Sequence, residues 1–197
     1  GALTSVNLDY AQRTIPVPTV TSATASACQG SAATLSVQNP QATGVIYKWY
    51  QGTTYLGAAK DGPTYTTDPT LAAGTYDFFV TATANGCETK GTKVTVTILP
   101  PPSVPVAATG NPATTCINTP ATLSVQAVAG VTFNWYDAAT NGNMLVSNNS
   151  SYITSASLAP GTYDFYVEAV NGKSCSNPTR TKISITVNPS STAADVT

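Results

Sequence analysis

The chain contains no histidine, so Ser-His-Asp and Cys-His nucleophile systems are excluded, as are the zinc sites built on imidazole. Charge is scarce too. Lys, Arg, Asp and Glu make up 9% of the 197 residues, and eight cations nearly cancel nine anions, whereas an average soluble domain carries about 25% charged residues. Such a chain has little electrostatic attraction for nucleic acid or for an anionic membrane. No apolar run approaches the roughly 20 residues of a membrane span, so direct membrane insertion is not expected. There is no Gly-rich phosphate cradle and no D-x-D-x-D-G calcium loop. A glycosidase needs two carboxylates facing one cleft, and the nine acids are dispersed among turns and strand exteriors. The expectation is a protein that is not an enzyme, with no catalytic residues, no metal and no cofactor.

What is present is an internal duplication. Leu35-Ser-Val-Gln38 recurs as Leu123-Ser-Val-Gln126, Trp49-Tyr50 as Trp135-Tyr136, and Gly74-Thr-Tyr-Asp-Phe78 as Gly161-Thr-Tyr-Asp-Phe165, in the same order and offset by 86 to 88 residues. A period near 90 is too long for a solenoid repeat and suits one small autonomous domain. Two domains are therefore expected.

Four cysteines fall into two pairs of equal spacing: 59 positions separate Cys28 from Cys87, and 59 separate Cys116 from Cys175. Without histidine or a C-x-x-C, this reads as a disulfide framework rather than a zinc site. The expected bonds are Cys28 with Cys87 and Cys116 with Cys175, each closing a loop worth roughly 4 kcal/mol of denatured-state entropy. The alternative is four buried free thiols. Disulfides imply an oxidising compartment, hence a secreted or cell-surface protein. A leader peptide ahead of Gly1 and further chain beyond Thr197 are then expected.

Within each repeat, short alternating runs are separated by turn residues every 8 to 12 positions, the pattern of an all-β sandwich. The inward set of the first repeat is Leu35 and Val37; Val45, Tyr47 and Trp49; Tyr76, Phe78, Val80 and Ala82; and Val94, Val96 and Ile98. The second repeat offers Leu123 and Val125; Val131, Phe133 and Trp135; Tyr163, Phe165, Val167 and Ala169; and Ile183, Ile185 and Val187. No helix is needed. Consecutive prolines in Leu99-Pro-Pro-Pro-Ser-Val-Pro105 remove backbone donors and fix φ, so the segment reads as a stiff spacer. The expected organisation is an N-terminal arm over 1–16, a first domain over 17–99, a Pro-rich linker over 100–105, a second domain over 106–189 and a tail over 190–197. In the arm, Val6–Tyr10 alternates like a short strand, either a flexible arm or an edge strand added to this or a neighbouring domain.

Leu71-Ala-Ala-Gly74-Thr-Tyr76 and Leu158-Ala-Pro-Gly161-Thr-Tyr163 have an L-x-x-G-x-Y form that resembles the tyrosine corner of immunoglobulin-like sandwiches, and Trp49 and Trp135 match the buried tryptophan of that fold. The resemblance implies two tandem immunoglobulin-like β-sandwich domains, with Trp49, Tyr76, Trp135 and Tyr163 as structural residues. Two residues after each corner Tyr, where antibody domains carry their core cysteine, stand Phe78 and Phe165. The cysteines lie instead before the second strand and beside Asn85-Gly86 and Asn171-Gly172, so each bond is expected to staple one end of its sandwich. The G-T-Y-x-F/Y-x-V run followed by N-G and Cys is similar to the tandem immunoglobulin-like repeats of Bacteroidetes cell-surface, gliding and adhesin proteins. That resemblance implies extracellular spacers or adhesion modules, with no catalytic residues to transfer. It also points to bacteria, so the sequon spacing in Asn148-Asn149-Ser150-Ser151 is discounted.

If Trp49 and Trp135 point inward, Tyr50 and Tyr136 point outward, and so do Phe79 and Tyr166 on the neighbouring strand. Each domain could thus display an aromatic pair suited to a glycan or a partner protein. Alternatively each pair is a cross-strand contact, partly covered by Tyr55 or Leu145. Asp77 and Asp164, the only acids repeated in register, are expected to be solvated or bonded to a neighbouring loop rather than to a metal. The reading is a non-catalytic extracellular module of a bacterial surface protein, a spacer or a part of cell adhesion. Its partners would be other domains of the same polypeptide, with a surface protein or a glycan as possible ligand. A carbohydrate-binding accessory module is the alternative.

Overall fold

The computed structural model describes residues 15–41 and 43–190. The Val6–Tyr10 segment, most of the expected arm and the tail from residue 191 onward lie outside the described residues. The chain forms two compact units that part between Leu99 and Pro100.

The first unit contains β1 (Thr24–Cys28), β2 (Thr34–Ser36), β3 (Ile46–Gln51), β4 (Thr54–Tyr55), β5 (Thr64–Thr66), β6 (Gly74–Ala84), β7 (Cys87–Glu88) and β8 (Thr92–Leu99). One sheet has the order β1-β8-β6-β3-β4, with β7 added to β6; the other is the pair β2-β5, extended by a bridge from Val20 to Val37. Period-two alternation sends Trp49, Phe78, Val80 and Val96 to the inner face, where each is fully buried. Leu35 and Tyr65 of the second sheet close over them, and Tyr65 stacks on Trp49 with ring centroids 5.8 Å apart. Burying a side chain of this size contributes on the order of 2 kcal/mol, so this core is the main source of the unit's stability. Among the described residues the one helical element is a 3-10 turn over Ala58–Lys60, entered through Gly57 at φ +93°.

The second unit repeats the plan with β9 (Thr114–Cys116), β10 (Thr122–Ser124), β11 (Val131–Tyr136), β12 (Met144–Val146), β13 (Ser151–Ile153), β14 (Gly161–Asn171) and β15 (Thr181–Asn188). Its sheets have the orders β12-β11-β14-β15-β9 and β10-β13, with Ala107 bridging to Val125. Trp135, Leu123, Val167 and Ile185 are fully buried, and Tyr152 takes the place of Tyr65, 5.8 Å from Trp135.

Three hydrogen-bonded locks are duplicated with the fold. The indole N–H of Trp49 donates to the Gly62 carbonyl and that of Trp135 to the Asn149 carbonyl, both at 3.0 Å. The Tyr76 and Tyr163 hydroxyls donate to the carbonyls of Ala72 and Ala159, also at 3.0 Å. These are the tyrosine corners, with Gly74 and Gly161 at φ +155° and +154°, a region open in practice to glycine. The third lock was not visible in the sequence. Buried Thr67 and Ala33 exchange two bonds, backbone N–H to carbonyl and backbone N–H to hydroxyl, and Thr154 and Ala121 do the same.

The segment expected as a stiff spacer belongs to the second unit. Asn177 Nδ2 donates to the Pro102 carbonyl at 2.8 Å and the Thr181 hydroxyl donates to the Pro105 carbonyl. Thr92 binds the carbonyl of Pro18 in the same way. The prolines cannot donate, but their carbonyls accept, so each strip docks one-sidedly on its own sandwich.

The cysteine pairing differs from expectation. Cys87 and Cys116 carry free, exposed thiols, whereas Cys28 and Cys175 are disulfide-bonded; neither Cys28–Cys87 nor Cys116–Cys175 forms. The reason is strand direction. β1 runs parallel to β8, placing Cys28 beside Leu99 at the end of that strand. Cys87 follows the Asn85-Gly86 turn at the far end of β6, opposite Ala84, beyond the Val80–Thr92 pair that begins β8. At about 3.4 Å per residue the two cysteines are roughly 37 Å apart along the sheet, against the 7 Å or so that a disulfide spans between Cα atoms. β9 is likewise parallel to β15, with Cys116 beside Asn188, while Cys175 closes the loop at the Asn171 end of β14. Each sandwich therefore holds one cysteine at either end.

Candidate functional site

The outward aromatic pairs are brought together as strand neighbours: Tyr50 faces Phe79 across β3 and β6, and Tyr136 faces Tyr166 across β11 and β14. Neither pair is an open platform.

In the first unit Tyr50 is half-buried and its ring packs on Tyr55, 5.4 Å away, at the edge strand. Its hydroxyl donates to Glu88 Oε1 at 2.6 Å, which also accepts from the Thr81 hydroxyl at 2.6 Å. Lys48 Nζ stands 3.2 Å from Glu88 Oε2 and 5.8 Å from the Tyr55 ring centre. The Thr81 and Tyr50 hydroxyls, and then Lys48, hold the Glu88 carboxyl below the usual glutamate range. The carboxylate in turn pushes the Tyr50 hydroxyl up, chiefly through that hydrogen bond. Tyr55, 40% exposed, donates to Asp61 at 2.9 Å. A shallow cleft of about 460 Å³ adjoins this edge, lined by Pro40, Gln41, Ile46, Tyr47, Asp61 and Pro63. The Tyr47 hydroxyl in its floor is occupied by the Gln41 N–H, and Asp61 by Tyr55.

In the second unit the same position is closed differently. Arg180 lies over the Tyr136 ring, its guanidinium carbon 3.3 Å from the ring centre, and donates to the Ala138 carbonyl at 2.8 Å. Tyr136 is left 8% exposed, so no flat ligand can stack on its covered face. Its hydroxyl donates to Glu168 Oε2 at 3.0 Å, and burial, then this bond, raises its pKa. The carboxylate thus comes from Glu88 on β7 in one repeat and from Glu168 on β14 in the other. Glu168 occupies the repeat position of Thr81, and Ser176 that of Glu88. Glu88, Glu168 and Arg180 were missed in the sequence because the acid shifts position and the arginine reaches its ring from the loop just ahead of β15.

Asp77 and Asp164 are engaged on the neighbouring strand. Lys93 Nζ is 2.8 Å and the Thr95 hydroxyl 3.0 Å from Asp77; Lys182 Nζ is 3.2 Å and the Ser184 hydroxyl 2.6 Å from Asp164. Lys93 foremost lowers the pKa of Asp77, and Ser184 foremost that of Asp164. Among the described residues no three His, Cys, Asp or Glu converge as a metal site, and no helix is long and apolar enough to cross a membrane.

No curated protein matches the sequence. Among solved structures the chain is similar to the fibronectin(III)-like modules of Clostridium thermocellum CbhA, at 18% identity over 87% of this chain and 94% of that one, with a TM-score of 0.46. It is also similar to the chicken CNTN1 FN1–FN3 domains, at 14% identity over 88% of this chain and 65% of that one, with a TM-score of 0.47. The family model described as "Ig-like domain CHU_C associated" matches twice, over residues 16–100 and 102–189, on the two sandwiches whose corners, tryptophan locks and strand orders repeat. The chain belongs to this family of immunoglobulin-like domains and carries two tandem copies of it.

Proposed function

We propose that the chain is a non-catalytic extracellular module of a bacterial surface protein, in which tandem sandwiches space or present other modules. One observation carries this reading: the two repeats keep the same frame but not the same chemistry around the outward tyrosine, the one candidate ligand position. The corner, the tryptophan bond and the threonine lock are duplicated bond for bond. The outward Asp77–Lys93 and Asp164–Lys182 pairs are kept, but the surroundings of the outward tyrosine diverge, with Lys48, Thr81 and Glu88 replaced by Asn134, Glu168 and Ser176. A ligand site used in every repeat would hold its donors constant, whereas a spacer needs only its frame. The disulfide state of Cys28 and Cys175 supports an oxidising compartment outside the cytoplasm.

The test replaces residues 17–189 in the source bacterium with two unrelated β-sandwiches of similar size. Retained surface display and adhesion support a spacer. Retained display with lost adhesion assigns adhesion to these domains themselves. The carbohydrate-binding alternative would have to use Tyr50 and Tyr55 in the first unit, since Arg180 covers Tyr136. Retardation of the chain by a polysaccharide gel, abolished by Tyr55→Ala, would establish it.

A further inference from the structure

The four cysteines are of two kinds, fixed by place in the fold. Cys28 and Cys116 end the strand that lies parallel to the last strand of each sandwich. Cys87 and Cys175 sit in the hairpin at the opposite end, after β6 and β14. One of each kind, Cys28 and Cys175, is oxidised; one of each kind, Cys116 and Cys87, is a free and exposed thiol. A hairpin cysteine and a strand-end cysteine are therefore both positions at which this fold supports a disulfide.

We propose that Cys116 and Cys87 are complementary halves of a further disulfide, formed head to tail between copies of this chain: Cys116 of one copy with Cys87 of the next. Two exposed thiols at strand ends meet no barrier of burial, and each copy offers one of either kind, so growth is open-ended. Bond formation releases two protons and two electrons and needs an acceptor, here a small-molecule disulfide such as oxidised glutathione. The Cys87 thiolate attacks one glutathione sulfur, breaking its S–S bond and releasing a glutathione thiolate. The Cys116 thiolate of a second copy then attacks the Cys87 sulfur and displaces the second glutathione, so one disulfide is formed as one is consumed. This linkage goes beyond the spacer reading and stands whether or not the module also adheres.

The experiment incubates the whole chain with a mixture of oxidised and reduced glutathione and follows it on non-reducing gels and by peptide mass mapping. The expected result is a ladder of dimers and higher species, collapsed by reductant, with a Cys87–Cys116 linked peptide. Cys87→Ser and Cys116→Ser, checked for folding by circular dichroism, should each lose the ladder when alone and give a single dimer band when mixed. Alanine variants repeat the test if serine disturbs either strand end. Dimers from either single variant alone, a wild-type monomer capped by glutathione at both sites, or a monomer whose two thiols have closed on each other would each overturn the proposal.

Discussion

Replacing Thr67 or Thr154 by valine tests the lock that closes the end of the smaller sheet of each sandwich, one register step beyond the β2–β5 and β10–β13 pairs. Valine keeps the shape and drops the acceptor, leaving the buried N–H of Ala33 or Ala121 without the hydroxyl that now accepts it at 2.9 Å. Thr67 is 2% and Thr154 3% exposed, so water is poorly placed to replace that bond. An unsatisfied buried donor costs about 1–3 kcal/mol. For a domain of this size a loss of about 2 kcal/mol lowers the melting temperature by roughly 8–16 °C. Serine reverses the trade, keeping the acceptor and giving up a methyl, which costs about 1 kcal/mol. Scanning calorimetry of the wild type and the four variants should place valine below serine below threonine at both positions. Thr67→Val should depress the transition of the first unit and Thr154→Val that of the second. A valine variant that melts at or above the wild type would refute the reasoning, because the N–H would then need no hydroxyl.

Three other outcomes follow from the same structure. Tyr76→Phe and Tyr163→Phe remove a hydroxyl bond to the corner carbonyl and should each cost about 0.5–1.5 kcal/mol in urea unfolding, with little change in slope. The lowered pKa of Glu88 gives stability that is present above the ordinary glutamate value of about 4.3 and lost as pH falls through the folded value; Glu88→Gln should therefore melt lower than wild type at pH 7, and the gap should narrow on acidification. Arg180→Ala should lower stability by about 1 kcal/mol through the lost cation–π contact and expose the Tyr136 ring, which quenching of tyrosine fluorescence will read.

The frame was legible because it is written locally. Alternation in Tyr47–Trp49 and Tyr76–Ala82, together with the L-x-x-G-x-Y corner, depends on residues close in sequence, and duplication doubled each signal. The cysteine pairing is not legible in the sequence because equal spacing says nothing of strand direction: the parallel placement of β1 on β8 puts Cys28 at the opposite end of the sandwich from Cys87. The outward aromatics fall on neighbouring strands as alternation predicts, but the cover over Tyr136 comes from Arg180, 44 positions away in the sequence. No periodicity records a side chain that reaches from a loop to cover a ring. The threonine locks were equally hidden, since one threonine among many carries no mark of burial.

The strand directions are tested most directly by alkylating the native chain without reductant, then reducing and labelling with a second reagent before peptide mass mapping. The first label should be found on Cys87 and Cys116, and the second on Cys28 and Cys175. A linked peptide joining Cys28 to Cys87, or Cys116 to Cys175, would contradict the parallel end strands and the placement of one cysteine at either end of each sandwich.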